Sequence, residues 1–129
     1  APLSISEPDA PPLVDVGALQ AAVARFASER GWQRFHSPKN LAMALAGEVG
    51  ELLEIFQWLG EDASREVARR PESARAVRDE LADVLIYFVR LADVLGVDLN
   101  EALASKLAAN ALRYPVEQVR GSAVKAPPR

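Results

Sequence analysis

Two pairs of acidic residues stand out in this sequence, Glu48-Val49-Gly50-Glu51 and Glu80-Leu81-Ala82-Asp83. Each pair is spaced i, i+3 within a stretch of helical periodicity. Its two carboxylates therefore share one face, about 60° apart around the axis. Glu48 falls in the line of Leu41, Leu45, Leu52 and Ile55, which is otherwise a core stripe. Carboxylates on or beside core-facing stripes are costly unless a cation joins them. Oxygen donors of this kind suit a hard divalent ion, and Mg²⁺ is the expected cofactor. Together Glu48, Glu51, Glu80 and Asp83 carry more negative charge than one divalent ion neutralises. Room remains for a second ion or for a substrate chelated to its own Mg²⁺. A phosphate-rich substrate would complete the octahedron with its oxygens. A spare carboxylate could then deprotonate a water next to phosphorus.

The elements that must position these groups read as helices. Val16, Leu19, Val23 and Phe26 recur at helical spacing up to Gly31, with Asp15 as candidate N-cap. Trp32, Phe35 and His36 follow in a short connection. Trp32 and Phe35 read as a plug on the end of a core or, for Trp32, as a surface on which a base can stack. Ser37-Pro38 opens a second helix as N-cap and first position, running to about Trp58. Gly47 and Gly50 inside it each cost about 1 kcal/mol against alanine. They suit close approach by another backbone or a ligand, or a tight helix crossing, and both readings stand.

Residues 61–73 are polar and predict a short surface helix and a turn. A third helix is predicted from Glu72 to Leu95. Its main stripe is Val77, Leu81, Val84, Phe88, Leu91 and Leu95, with Glu80, Asp83 and Tyr87 alongside. Leu85, Ile86 and Val89 widen its apolar surface beyond one face, which predicts cover from other subunits. Gly96 closes it. Asp98-Leu99-Asn100-Glu101 is a capping-box arrangement opening a fourth helix that Pro115 ends. Lys106, Asn110 and Arg113 line one face of that helix. They are candidate donors to phosphate, beside the plainer reading of a solvated face. Trp32, Trp58 and Tyr87 are candidate base contacts.

Composition narrows the classes. The chain has 129 residues, half of them apolar, and a net charge of −3 with scattered basic residues. That predicts one all-α domain and no nucleic-acid groove. The chain has no cysteine, which excludes disulfides and thiolate sites. The single histidine, His36, excludes multi-histidine sites, and a di-iron bundle built on Glu-x-x-His fails because position 33 is Gln33. No apolar run approaches about 20 residues, so no membrane span is expected and a cytoplasmic protein is. The expected organisation is a disordered N-terminal arm over 1–14, a helical domain over 15–115 and a mobile C-terminal tail over 116–129.

At this point the motifs carry a resemblance. Glu48-x-x-Glu51 followed by Glu80-x-x-Asp83 resembles the signature of the MazG-like, all-α nucleoside triphosphate pyrophosphohydrolases. The run Trp32-Gln33-Arg34-Phe35-His36-Ser37-Pro38-Lys39-Asn40-Leu41, then Phe56-Gln57-Trp58 and Asp79 to Tyr87, is similar to the dCTP pyrophosphatase branch. So are Arg113-Tyr114-Pro115 and Arg120-Gly121-Ser122. The resemblance spans about residues 16–125. It implies a four-helix bundle-like subunit in a tetramer, alternatively a dimer, with sites made between subunits. It implies hydrolysis of (deoxy)nucleoside triphosphates, dCTP or modified dCTP, to monophosphate and pyrophosphate for pool sanitation. It implies Mg²⁺ held by Glu48, Glu51, Glu80 and Asp83, with Glu48 and Glu51 catalytic. Trp32, Trp58, Tyr87, Lys39, Lys106, Asn110 and Arg113 are then the substrate-binding set. Animal members of the dCTP branch carry a histidine on the first helix where this chain has Val23. They also often carry a tyrosine after the lysine that matches Lys125. The alternative is a non-catalytic helical module that binds a nucleotide or a partner; pyrophosphate release with and without Mg²⁺ separates the two.

Overall fold

The computed structural model describes residues 11–123, and these contain helices and no strand. They form two compact units, Val16–Val97 and, as the other, residues 11–15 with 98–123. The first unit holds α1 (Gly17–Glu29), a 3₁₀ turn (Gln33–Phe35), α2 (Pro38–Phe56), α3 (Glu61–Glu66) and α4 (Pro71–Leu95). The long helices α2 and α4 pack along one another, and α1 packs on α4.

Local chemistry sets most of the helix ends. Val16, not Asp15, occupies the N-cap position of α1; its carbonyl accepts the Gln20 N–H at 2.7 Å, and its own side chain makes no capping hydrogen bond. The expected aspartate cap is thus displaced by one residue. At the other end Gly31 takes φ +65°, which L side chains rarely adopt. The Trp32 N–H donates to the Ala27 carbonyl and the Gly31 N–H to that of Ser28, a Schellman closure. That closure folds Trp32 back onto α1, where its ring meets Phe26 edge to face at 5.7 Å.

Ser37 caps α2 as expected, its Oγ accepting the Asn40 N–H at 3.2 Å, with Pro38 first in the helix. Pro71 opens α4 and Gly96 closes it at φ +70°, with Val97 N–H on Ala92 O and Gly96 N–H on Asp93 O. The start of α2 and both ends of α4 are therefore set by local chemistry.

The face that α4 buries differs from the stripe expected of it. Val77 is buried and Val84 and Leu91 are half-buried, but Leu81, Phe88 and Leu95 are about half exposed. Val89, Arg90 and Ala92 are buried in their place. An apolar period marks a face that needs cover without naming what covers it. On α2, Leu41 is buried, whereas Met43 and Leu53 stand exposed. Gly47 and Gly50 lie against nothing within the described residues: a methyl group at either would meet no atom within 4 Å. A tight helix crossing inside one chain is therefore not what these glycines serve.

The second unit is built on α5 (Leu99–Arg113) and the single turn α6 (Val116–Val119). Asp98 caps α5, accepting the Glu101 N–H at 3.0 Å. The Asn100 side-chain oxygen accepts the backbone N–H groups of Leu13 and Val14 at 2.6 and 3.4 Å. The arm expected over 1–14 is thus tied down at its inner end, and the tail expected over 116–129 begins with a helical turn. Residues 1–10 and 124–129, which include Lys125, lie outside the described residues.

Candidate active site

The pairing of α2 with α4 brings together residues from both acidic motifs. Glu48 from α2 and Glu80 and Asp83 from α4 place one carboxylate oxygen each within 4.8 Å of one another, all partly buried. Glu48 Oε2 and Glu80 Oε2 are buried with no hydrogen-bond partner. Buried acceptors left in this state are costly, and a cation satisfies them all together. The donor set is all oxygen, which suits a hard divalent ion such as Mg²⁺.

The electrostatics agree. Glu48 is pushed up from 4.5 to about 7, first by desolvation, then by a shared hydrogen bond with Glu80, then by the charges of Glu51 and Asp83. Glu80 is also raised, mainly by burial, against a hydrogen bond with Glu48 that acts in the other direction. Both carboxyls are therefore held towards their protonated forms, as one pair with a proton between them. Glu51 is exposed and stands outside the group of three, yet close enough for its charge to raise both neighbours.

Asp83 also lines a second feature. A largely apolar cavity of about 470 Å³ opens between α1 and α4, walled by Leu19, Val23, Phe26, Trp32, Ile86 and Tyr87, with His36, Asp83 and Arg90 among its polar lining. Its volume is that of a small-molecule site. Trp32 and Tyr87, both singled out from sequence, line it; Trp58 does not, and is 87% exposed. Lys39 is exposed near the start of α2. Lys106, Asn110 and Arg113 lie on α5 in the other unit, with the Arg113 guanidinium 5.4 Å from the Tyr114 ring.

Sequence reasoning passed over Glu54, Arg90 and the pairing of Arg90 with His36. Glu54 lines an acidic hollow of about 350 Å³ with Glu51, Ile55, Ala76 and Glu80. Its signal was present: Glu48, Glu51 and Glu54 run at intervals of three. Arg90 continues the series Asp83, Tyr87 at spacings of four and three, so it shares their face. His36 joins it across 54 positions, accepting the Arg90 Nε–H on Nδ1 at 3.1 Å. No periodicity announces a pair that distant.

The sequence profile of the MazG-like family matches residues 44–126. The chain belongs to that family. Among curated relatives, this MazG-like chain is 49% identical over 115 residues to dCTP pyrophosphatase 1 of Rattus norvegicus and 45% identical to that of Homo sapiens. Those matches cover 89% of the chain and 66% of either relative, so the chain spans just under two thirds of their length. Among solved structures, a pyrophosphatase from Archaeoglobus fulgidus DSM 4304 superposes with a TM-score of 0.71 at 42% identity. That likeness covers 76% of this MazG-like chain and 90% of the archaeal one.

Proposed function

We propose that this chain hydrolyses dCTP, or a modified dCTP, between the α and β phosphates, giving monophosphate and pyrophosphate in nucleotide pool sanitation. One observation carries the reading. Asp83 belongs at once to the carboxylate group and to the wall of the cavity that Trp32 and Tyr87 line. A nucleotide whose base enters that cavity has its phosphates led towards the carboxylates. Relatives named dCTP pyrophosphatase 1 support the choice of substrate.

Glu48, Glu80 and Asp83 would hold Mg²⁺, which supplies charge that polarises phosphoryl oxygens. Glu51, more exposed than these, is the carboxylate suited to accept the proton of an attacking water. Glu48 shares with Glu80 a proton it must release before both can act as anionic ligands. Trp32 and Tyr87 stack on the base. Lys39, Lys106, Asn110 and Arg113 are assigned to phosphate oxygens on their residue types and spacing. Among the described residues no helix is long and apolar enough to cross a membrane, in keeping with work on cytoplasmic nucleotides.

The same reading calls for a second copy. Leu81, Phe88 and Leu95 on α4 and Met43 and Leu53 on α2 are apolar and about half or more exposed, and open space lies where a Cβ would stand at Gly47 and Gly50 of α2. Exposed apolar surface of this extent marks an interface. A homotetramer of bundle-like subunits covers it, and would bring Trp58 of one subunit to the cavity of another. Light scattering at micromolar concentration should give a multiple of the 14.0 kDa chain mass. A mass of one chain would remove the shared-site arrangement.

Incubation with dCTP and Mg²⁺ should release pyrophosphate and dCMP in equal amounts, and excess chelator should stop it. Orthophosphate with dCDP as products, or binding with no cleavage, would overturn the assigned reaction.

A further inference from the structure

Arg90 is the one charged residue among the described residues that is buried, at 9% exposure, and it lines the cavity. Its Nη1 donates to Asp93 at 3.4 Å, a long contact to a carboxylate that is 39% exposed. Its Nε donates to His36 Nδ1. A guanidinium has five N–H donors and no acceptor, so these contacts leave donors unspent. A buried cation so loosely paired is costly unless a ligand completes its hydrogen bonds.

The Arg90 contact also decides which proton His36 carries. Arginine Nε is always a donor, so His36 Nδ1 must be the acceptor and bears no hydrogen. In the neutral ring the proton then sits on Nε2. Protonation of Nδ1 is opposed, because burial and the Arg90 charge both lower the pKa of His36. His36 therefore offers a donor, as Arg90 does. The α1 wall adds only apolar side chains, Leu19, Val23 and Phe26 among them. Asp83 is committed to the carboxylate group.

We infer that Arg90 and His36 form a donor pair that reads the adjacent acceptors N3 and O2 of a cytosine base in this cavity. The inference rests on the proposed triphosphate hydrolysis and names what selects its base. Cytosine presents two neighbouring acceptors to two neighbouring donors. Uracil and thymine carry N–H at position 3 and set a donor against a donor. Arg90 has the larger share, because its hydrogen bonds are charge-assisted.

The test compares kcat/KM for dCTP, dUTP and 3-deaza-dCTP, which has C–H in place of N3. The parent should favour dCTP over each by at least about tenfold, the scale of one hydrogen bond to a charged group. Arg90→Met should bring both ratios close to one, and Arg90→Lys should restore part of them. An equal fall for all three substrates would make Arg90 merely structural and overturn the inference. So would faster turnover of dGTP than of dCTP by the parent.

Should Arg90→Met fail to fold, the single histidine gives a second measurement on the parent. Two-bond ¹⁵N–¹H correlation spectra should show the Nε2–H tautomer, and saturating α,β-methylene dCTP should shift that signal. An Nδ1–H tautomer, or no response at saturation, overturns the pairing. Absence of cleavage of every triphosphate would instead sink the proposed activity, while the tautomer and the analogue's effect on it would still be read.

Discussion

Asp83→Asn is expected to lower turnover by roughly 10²–10³-fold, the scale on which removal of one electrostatic or acid–base contribution acts. Asparagine keeps the shape of the side chain and removes its charge. Asp83 is the residue common to the carboxylate group and the cavity, so the loss falls where the phosphates and the base meet. The chain should still fold: in chelator the variant should melt no lower than the parent, since one of several repelling charges has gone. Asp79→Asn is the control. Asp79 belongs to the same acidic run, is exposed, and makes only a 3.9 Å contact with Arg75. Exposed pairs of this kind contribute at most about 1 kcal/mol to stability, and turnover should change little. If Asp83→Asn retains turnover within about threefold of the parent, Asp83 does not serve the reaction.

The difference between these two aspartates was legible in part. The i, i+3 spacing put Glu80 and Asp83 on one face of a helix, and the structure brings both to Glu48. It gave Glu51 the same standing as Glu48. The 60° between them is enough to leave Glu48 half-buried and Glu51 exposed. Helix ends were legible wherever short-range chemistry decides them, as at Ser37-Pro38, Gly96 and Asp98. What covers a helix was not. Leu81, Phe88 and Leu95 have the period of a core stripe, yet one chain leaves them about half exposed while it buries Arg90. The periodicity of α4 reports that an apolar face exists; the partner that covers it is not encoded within α4. The sequence used His36 to exclude multi-histidine sites and could not pair it with Arg90, which lies 54 residues away.

Magnesium binding should be tied to the proton that Glu48 holds. The folded, metal-free chain raises Glu48 from 4.5 to about 7, with desolvation the largest cause. Between those values the folded state binds more protons than the unfolded one. The stability this group contributes is therefore greatest below pH of about 4.5 and is lost as pH rises towards 7. In chelator, the parent should melt at falling temperature across that window relative to Glu48→Gln, which has no proton to lose. Mg²⁺ requires the carboxylates in their ionised form, so binding must displace the proton. Its apparent affinity should then rise by about tenfold per pH unit below the Glu48 pKa and level off above it. The melting temperature gained from Mg²⁺ should grow over the same range, since a ligand of the folded state alone stabilises it. Glu48→Gln should show little gain at any pH. Glu51→Gln tests the neighbour's share: with that charge gone, Glu48 should titrate lower and the pH dependence of Mg²⁺ binding should move down with it. It should also melt higher than the parent in chelator and lose most turnover. A Mg²⁺ affinity that is flat between pH 5 and 8 in the parent, or a full thermal gain in Glu48→Gln, would place the ion away from Glu48 and remove the carboxylate group from the reaction.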